Sequence, residues 1–208
     1  MLSDAQIERY SRQIIVAEIG AAGQERLLST ACAVLGRSAL AATAARYLAG
    51  AGVGRVAVQD DALASELRAL NPEIAVALAP DGGGAPIVVA ADCARATLLA
   101  LADTPPAVLV AAGTTPSGGW LHVATAGSGC AACAASAAPA RADDRATAAI
   151  AASALGALAA TEALTRALGR PGTTAGGILV YDAAAATLVL HPLARPPACP
   201  ACAASAAP

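Results

Sequence analysis

The stretch ACAVLGRSALAATAARYLAGAGVGRVAVQDD, Ala31 to Asp61, decides the fold. Ala31 to Leu35 is a short apolar run ending at Gly36, which predicts a buried strand. Ser38 to Ala51 is rich in helix formers and is closed by Gly52 and Gly54, which predicts a helix. Arg55 to Gln59 reads as a second buried strand that ends at Asp60-Asp61. Residues 31–60 therefore form a Rossmann-like β-α-β unit of about the usual ~30 residues, with a right-handed crossover expected. Gly36 follows a strand and opens a helix, where a dinucleotide fold keeps its glycine-rich turn. In Gly36-Arg-Ser-Ala-Leu-Ala41 only the first glycine of G-x-G-x-x-G is present. A Cβ at Ser38 crowds any phosphate approaching the backbone. Gly36 and Asp60 are thus weak cofactor-binding candidates. Asp60 stands where such folds hold a ribose, and an aspartate there also serves as a helix N-cap or a solvated turn.

Upstream, Met1 to Leu28 reads as a helical segment, with Ile7, Tyr10, Ile14 and Ile15 roughly on one face, an N-cap at Ser3-Asp4, and Gly20 and Gly23 as punctuation. Downstream, Ala62 to Leu70 is a short helix before Asn71-Pro72, Ile74 to Leu78 a strand, and Asp81 to Gly84 a loop. Ile87 to Ala90 and Ala107 to Ala111 read as strands around a helix near Ala94 to Ala102. Trp120 to Thr125 alternates like a half-exposed strand, Ser136 to Asp144 is a loop, and Ala146 to Leu168 is a long apolar helix. Ile178 to Tyr181 and Thr187 to Leu190 make a terminal hairpin. The expected architecture is α/β, a mixed sheet flanked by helices, in a single domain over 1–208, with 203–208 a disordered tail.

Composition narrows the function. The chain has 208 residues and a formal net charge of -2, and its 13 basic residues are all arginine. Without a basic face there is no footprint for nucleic acid. The N-terminus lacks the apolar core of a signal peptide, and the longest apolar stretch, Ala148 to Ala160, falls short of the ~20 residues of a membrane span. A soluble, cytoplasmic protein is expected. Six cysteines in such a chain point to metal or redox chemistry.

Four of those cysteines form two CxxC pairs, Cys130-Ala-Ala-Cys133 and Cys199-Pro-Ala-Cys202. Each pair can present two thiolates to one ion from a tight turn, and two such knuckles complete an all-cysteine zinc site. With four protein ligands the site has no open position, so the zinc is structural. Two separate redox motifs or a pair of disulfides are the other readings of the same spacing. Cys32 and Cys93 read as small buried hydrophobes, with a reactive thiol as the alternative, better placed at Cys93. His122 and His191 have no second histidine or carboxylate pattern nearby and read as surface or packing residues. Trp120 reads as a packing or interface residue and Asp143-Asp144 as solvated loop.

Arg9-Tyr-Ser-Arg-Gln-Ile-Ile15, Glu18-Ile-Gly20 and Gly23-Gln-Glu25 strongly resemble the opening of ThiF/MoeB/HesA (E1-like) proteins. So do Tyr47-Leu-Ala49, Gly52-Val-Gly54, Asn71-Pro72, Asp92-Cys93, Thr161-Glu-Ala-Leu164, Tyr181-Asp182 and both CxxC pairs, in the same order along nearly the whole chain. The resemblance implies a dimer that uses ATP and Mg²⁺ to adenylate the C-terminal glycine of a ubiquitin-like sulfur carrier, with zinc held by four cysteines. It also implies that Arg12 reaches the phosphates bound by the partner subunit, as a finger in trans; a merely structural arginine at the dimer contact is the alternative.

The departures from that pattern are specific. Only ten residues separate Asp60 from Asn71, so the family's Asn-Leu-Gln-Arg-Gln motif and its nucleotide-contacting lysine have no counterpart. The family's metal-binding aspartate falls at Arg95. The crossover loop, Ala134 to Ala149, holds no cysteine for covalent chemistry. Losing phosphate contacts and a metal ligand together removes orders of magnitude in rate. The expectation is a shortened, degenerate member, a pseudoenzyme that serves as a zinc-stabilised scaffold or as partner to an E1-like subunit or a ubiquitin-like carrier, much as heterodimeric E1 enzymes pair an inactive subunit with an active one. The alternatives are a working adenylyltransferase with a shortened site and, on the same half-fold, a dinucleotide-dependent enzyme.

Overall fold

The computed structural model describes residues 1–124, 128–137, 145–172, 174, 176–196 and 198–204. Five strands run parallel: β1 (Ala31–Leu35), β2 (Arg55–Val58), β3 (Ala75–Leu78), β4 (Ile87–Ala91) and β5 (Val108–Thr115). Three antiparallel strands extend them: β6 (Gly118–Ala124), β7 (Ile178–Asp182) and β8 (Thr187–His191). One eight-stranded mixed sheet results, in the order β3-β2-β1-β4-β5-β6-β7-β8. The expected α/β class is therefore observed. The order reverses between β1 and β4, and the crevice at such a switch point is where open α/β sheets bind ligands.

Two helices, α1 (Asp4–Ile14) and α2 (Gly20–Ser29), precede the sheet. Then α3 (Ala39–Gly50), α4 (Asp61–Leu70) and α7 (Arg145–Ala167) cover one face, while α5 (Arg95–Asp103) and α6 (Ala131–Ala137) cover the other. A short α8 (Pro200–Ala204) closes the described chain. Along β1, Cys32 and Val34 enter the first core and Ala33 and Leu35 the second, so the strand is apolar throughout because both its faces are buried.

Alanine sets the packing distance. Ala41, Ala44, Ala45 and Ala49 of α3 and Ala151, Ala152, Ala159 and Ala160 of α7 are all buried in the first core. Gly156 lies where a Cβ would come within 2.7 Å of the Leu40 carbonyl oxygen, so the two helices touch at backbone level. Small side chains give little area each, and close approach recovers the dispersion contacts.

Several local expectations change. The N-terminal segment is two helices, because the chain turns after Ile14 and restarts at Gly20 with φ +62°. Ser3 caps α1 in a reciprocal capping box with Gln6. Tyr10 is buried and its hydroxyl accepts from Asn71 Nδ2 at 2.8 Å; the same nitrogen donates to the Ala49 carbonyl at 2.7 Å. Tyr10 thus moors α1 onto the end of α3. β6 is not half-exposed: residues 118–123 are buried because helices cover both faces there. Residues 131–137, partly read as loop, form α6, and α8 runs on through 203 and 204. The rest of the expected loop, 138–144 with Asp143-Asp144, and of the expected tail, 205–208, lies outside the described residues.

Among the described residues one stretch, Ala148–Ala167 of α7, is long and apolar enough to cross a membrane, longer than the run read from the sequence. Its Ala151, Leu155, Ala159 and Ala163 are buried against α3 and the sheet, as in a core helix.

Candidate metal centre and nucleotide face

The two knuckles meet under the second face of the sheet. Cys130 immediately precedes α6 and Cys133 lies in its first turn; Cys199 immediately precedes α8 and Cys202 lies within it. In each, the fourth residue's amide reaches back to the first residue's sulfur. Pro200 opens α8, where a missing N–H costs nothing. Arg195 Nη2 donates to the Cys202 carbonyl at 3.0 Å and steadies the second knuckle.

The sulfur distances discriminate among the readings of the spacing. Cys130 Sγ lies 3.6 Å from Cys133 Sγ and 3.7 Å from Cys199 Sγ, and Cys133 Sγ lies 3.6 Å from Cys202 Sγ. All four sulfurs lie within 4.8 Å of one another. A disulfide needs about 2.05 Å, and all four cysteines are free. A tetrahedron with metal–sulfur bonds of about 2.3 Å has edges of about 3.8 Å, so the donor set fits a tetrahedral ion. Burial raises the Cys133 and Cys130 thiols above the ordinary range. At Cys199 burial also acts upward, but the Cys202 amide and the neighbouring thiols outweigh it and bring the thiol down to about 7.

The nucleotide candidates are engaged elsewhere. Gly36 has φ +111°, and a Cβ there would overlap the Ala91 carbonyl oxygen, so the close approach of β4 already requires a glycine. Its N–H donates to Gln59 Oε1 at 2.8 Å, and Gln59 Nε2 donates to the Pro80 carbonyl at 2.5 Å. Ser38 caps α3 by accepting from the Ala41 amide at 3.4 Å. Asp60 caps α4 by accepting from the Leu63 amide at 2.8 Å. Beside these residues a cleft of about 400 Å³ remains, lined by Arg37, Gln59, Asp60 and Pro80. Gln59 carried no sequence motif and its bridging position was not legible there.

At the end of β4, Asp92 has φ +50°, and its carboxylate accepts from the Thr114 amide and hydroxyl at 2.6 and 2.9 Å. Cys32 is buried in β1, where burial pushes its thiol up to about 12, and Cys93 is half-buried and also raised by burial. Neither is an activated nucleophile. Trp120 packs in the second core beside Gly113, whose missing Cβ makes room for the indole. His191 is exposed at the end of β8. His122 is fully buried, not at the surface.

Residues 10–66 match the ThiF family. Over that segment the chain is similar to the family. It is 51% identical over 59 residues to "Adenylyltransferase and sulfurtransferase MOCS3" of Anopheles gambiae, a stretch that is 28% of this chain and 13% of the relative. It is 50% identical over 60 residues to "SAMP-activating enzyme E1" of Haloferax volcanii, 29% of this chain and 22% of the relative. It is 43% identical over 60 residues to "Sulfur carrier protein ThiS adenylyltransferase" of Escherichia coli, 29% of this chain and 24% of the relative. These matches span less than a quarter of each relative's length. The fold is like that of E. coli MccB: TM-score 0.74 at 15% identity, covering 93% of this chain and 72% of that one.

Against the ThiF pattern, the structure places three residues plainly. Arg12 is exposed in the last turn of α1. Arg95 donates to the Ala132 carbonyl at 3.0 Å and to Ser136 Oγ at 2.6 Å, tying α5 to α6. Asp60 opens α4 directly, and α4 leads straight to Asn71.

Proposed function

We propose that this ThiF-like chain is a degenerate E1-type protein, a pseudoenzyme that acts as a zinc-stabilised scaffold or partner subunit in activating a ubiquitin-like or sulfur-carrier protein. The carrying observation is Gln59. It satisfies the Gly36 amide, the first donor of the turn that would cradle phosphate. Ser38 and Asp60 spend their side chains on helix caps, and Arg95 puts a cation where Mg²⁺ needs an anion. Zinc is the ion that suits four cysteine thiolates at these distances, and Cys130, Cys133, Cys199 and Cys202 would hold it; bound there it would supply a structural cross-link between the knuckles. Ile7, Ile15 and Val16 are exposed on and just after α1, with Ile15 at 81% exposure, which supports a partner on that side, either a second copy or an E1-like subunit. Arg12 on the same helix is the residue that would reach a partner's nucleotide. Cytoplasmic residence follows from the same reading.

The experiment is ATP–pyrophosphate exchange with candidate carriers, beside calorimetric titration with ATP. No exchange and no nucleotide binding are expected. Clear exchange would establish the alternative, a working adenylyltransferase with a shortened site.

A further inference from the structure

His122 lies on β6, paired with Ala111 of β5 and Ile178 of β7, and is fully buried. Its side chain shares a face with Trp120, toward the second core, where Ala111, Ile178 and the alanines of α6 lie. Nδ1 lies 2.8 Å from the Gly177 carbonyl oxygen and Nε2 lies 2.9 Å from the Gly129 carbonyl oxygen. Both partners can only accept. A neutral imidazole has one N–H and one lone pair, so it satisfies one carbonyl and turns a lone pair on the other. Only the doubly protonated ring donates to both.

The two carbonyls are not arbitrary points. Gly129 forms the peptide that leads into Cys130. Gly129 is also hemmed in by the Leu193–Ala194 segment that leads to the second knuckle, since a Cβ there would come within 2.9 Å of the Ala194 carbonyl oxygen. Gly177 precedes β7 and its amide donates to the Thr174 carbonyl at 2.7 Å. The ring therefore joins the middle of the sheet to the approach of one knuckle and to the start of the hairpin.

We propose that His122 is a positioning residue of the four-cysteine centre, an internal clamp whose two N–H groups hold the Gly129 and Gly177 carbonyls together. This rests on the reading of that centre as a metal site. Burial is the larger influence and lowers the ring's pKa from its ordinary value, while the two carbonyls act the other way; the clamp is inferred, against that direction, from the two acceptor-only contacts. Four thiolates around one divalent cation leave a net negative charge next to the Gly129 peptide, which favours a cation there. Outer partners of this kind commonly set metal affinity by about 10–100-fold.

The test uses the full chain with His191→Gln, which leaves His122 as the one histidine. Long-range proton–nitrogen NMR at about pH 7.5, roughly one unit above an ordinary histidine, should show both ring nitrogens protonated. A proton-free nitrogen would overturn the two-donor clamp. In parallel, His122→Leu should lose zinc to a competing chelator at about 10–100-fold lower affinity, with the parallel sheet intact by circular dichroism; wild-type affinity in that variant would overturn the positioning role. If the variant does not fold, the ring signature of the parent still decides the clamp. Wild-type protein purified without chelator and free of zinc would overturn the metal reading, and the NMR result would still stand on its own.

Discussion

At the residue scale, the four cysteines differ although their spacing is symmetric. Cys130 and Cys133 are pushed up, chiefly by burial, while Cys199 is drawn down to about 7 by the Cys202 amide and its neighbouring thiols. Metal binding needs all four as thiolates, so the thiols raised by burial, Cys130 and Cys133, still carry protons near neutral pH that the ion must displace. Zinc uptake near neutral pH should release about two to four protons per ion, measured calorimetrically in buffers of different ionisation enthalpy. The sign follows: affinity falls as pH falls, because protons compete for the sulfurs. Binding without proton release would contradict the thiolate site. The candidate ligand set was legible at this scale, because two CxxC pairs carry their chemistry in their spacing. The roles of Gln59 and His122 were not, because Gln59 acts through partners 21 and 23 residues away and His122 through partners 7 and 55 residues away, and no sequence motif records such contacts.

At the element scale, the α3–α7 seam relies on small residues. The Gly156 position has no room for a methyl group against the Leu40 carbonyl and the Thr43 side chain, which a Cβ would approach to 2.7 Å. Gly156→Ala should therefore destabilise despite alanine's better helix propensity, by about 1–3 kcal/mol from overpacking, read from the denaturant midpoint. A neutral or stabilising result would mean that the helices can part freely. The same logic explains which elements were readable. β1, α3 and β2 stand within one residue of their expected bounds, because apolar runs and glycine stops are local signals. The break between α1 and α2 was missed because amphipathic periodicity ran across it. β6 was misread as half-exposed because alternation in its sequence says nothing about α6 and α7, which cover its two faces.

At the scale of the whole molecule, the four-cysteine cluster joins residues 130–133 to 199–202 across 69 residues. Chelation should free the segments 128–137 and 193–204 in hydrogen exchange while β1, α3 and β2 keep their protection, since the parallel half packs through its own core. Uniform loss of protection would show that the centre supports the whole fold. The sequence by itself determined the β-α-β unit, the mixed α/β class, the ThiF likeness and the four metal-ligand candidates, because each is carried by residue type at short spacing. Only the tertiary structure decided that the glycine turn is satisfied by Gln59, that Arg95 is bound to α6, and that a buried histidine faces two carbonyls. Those facts depend on which side chains the sheet order brings together, and hydrogen-bond satisfaction inside a packed core is settled there and not along the chain.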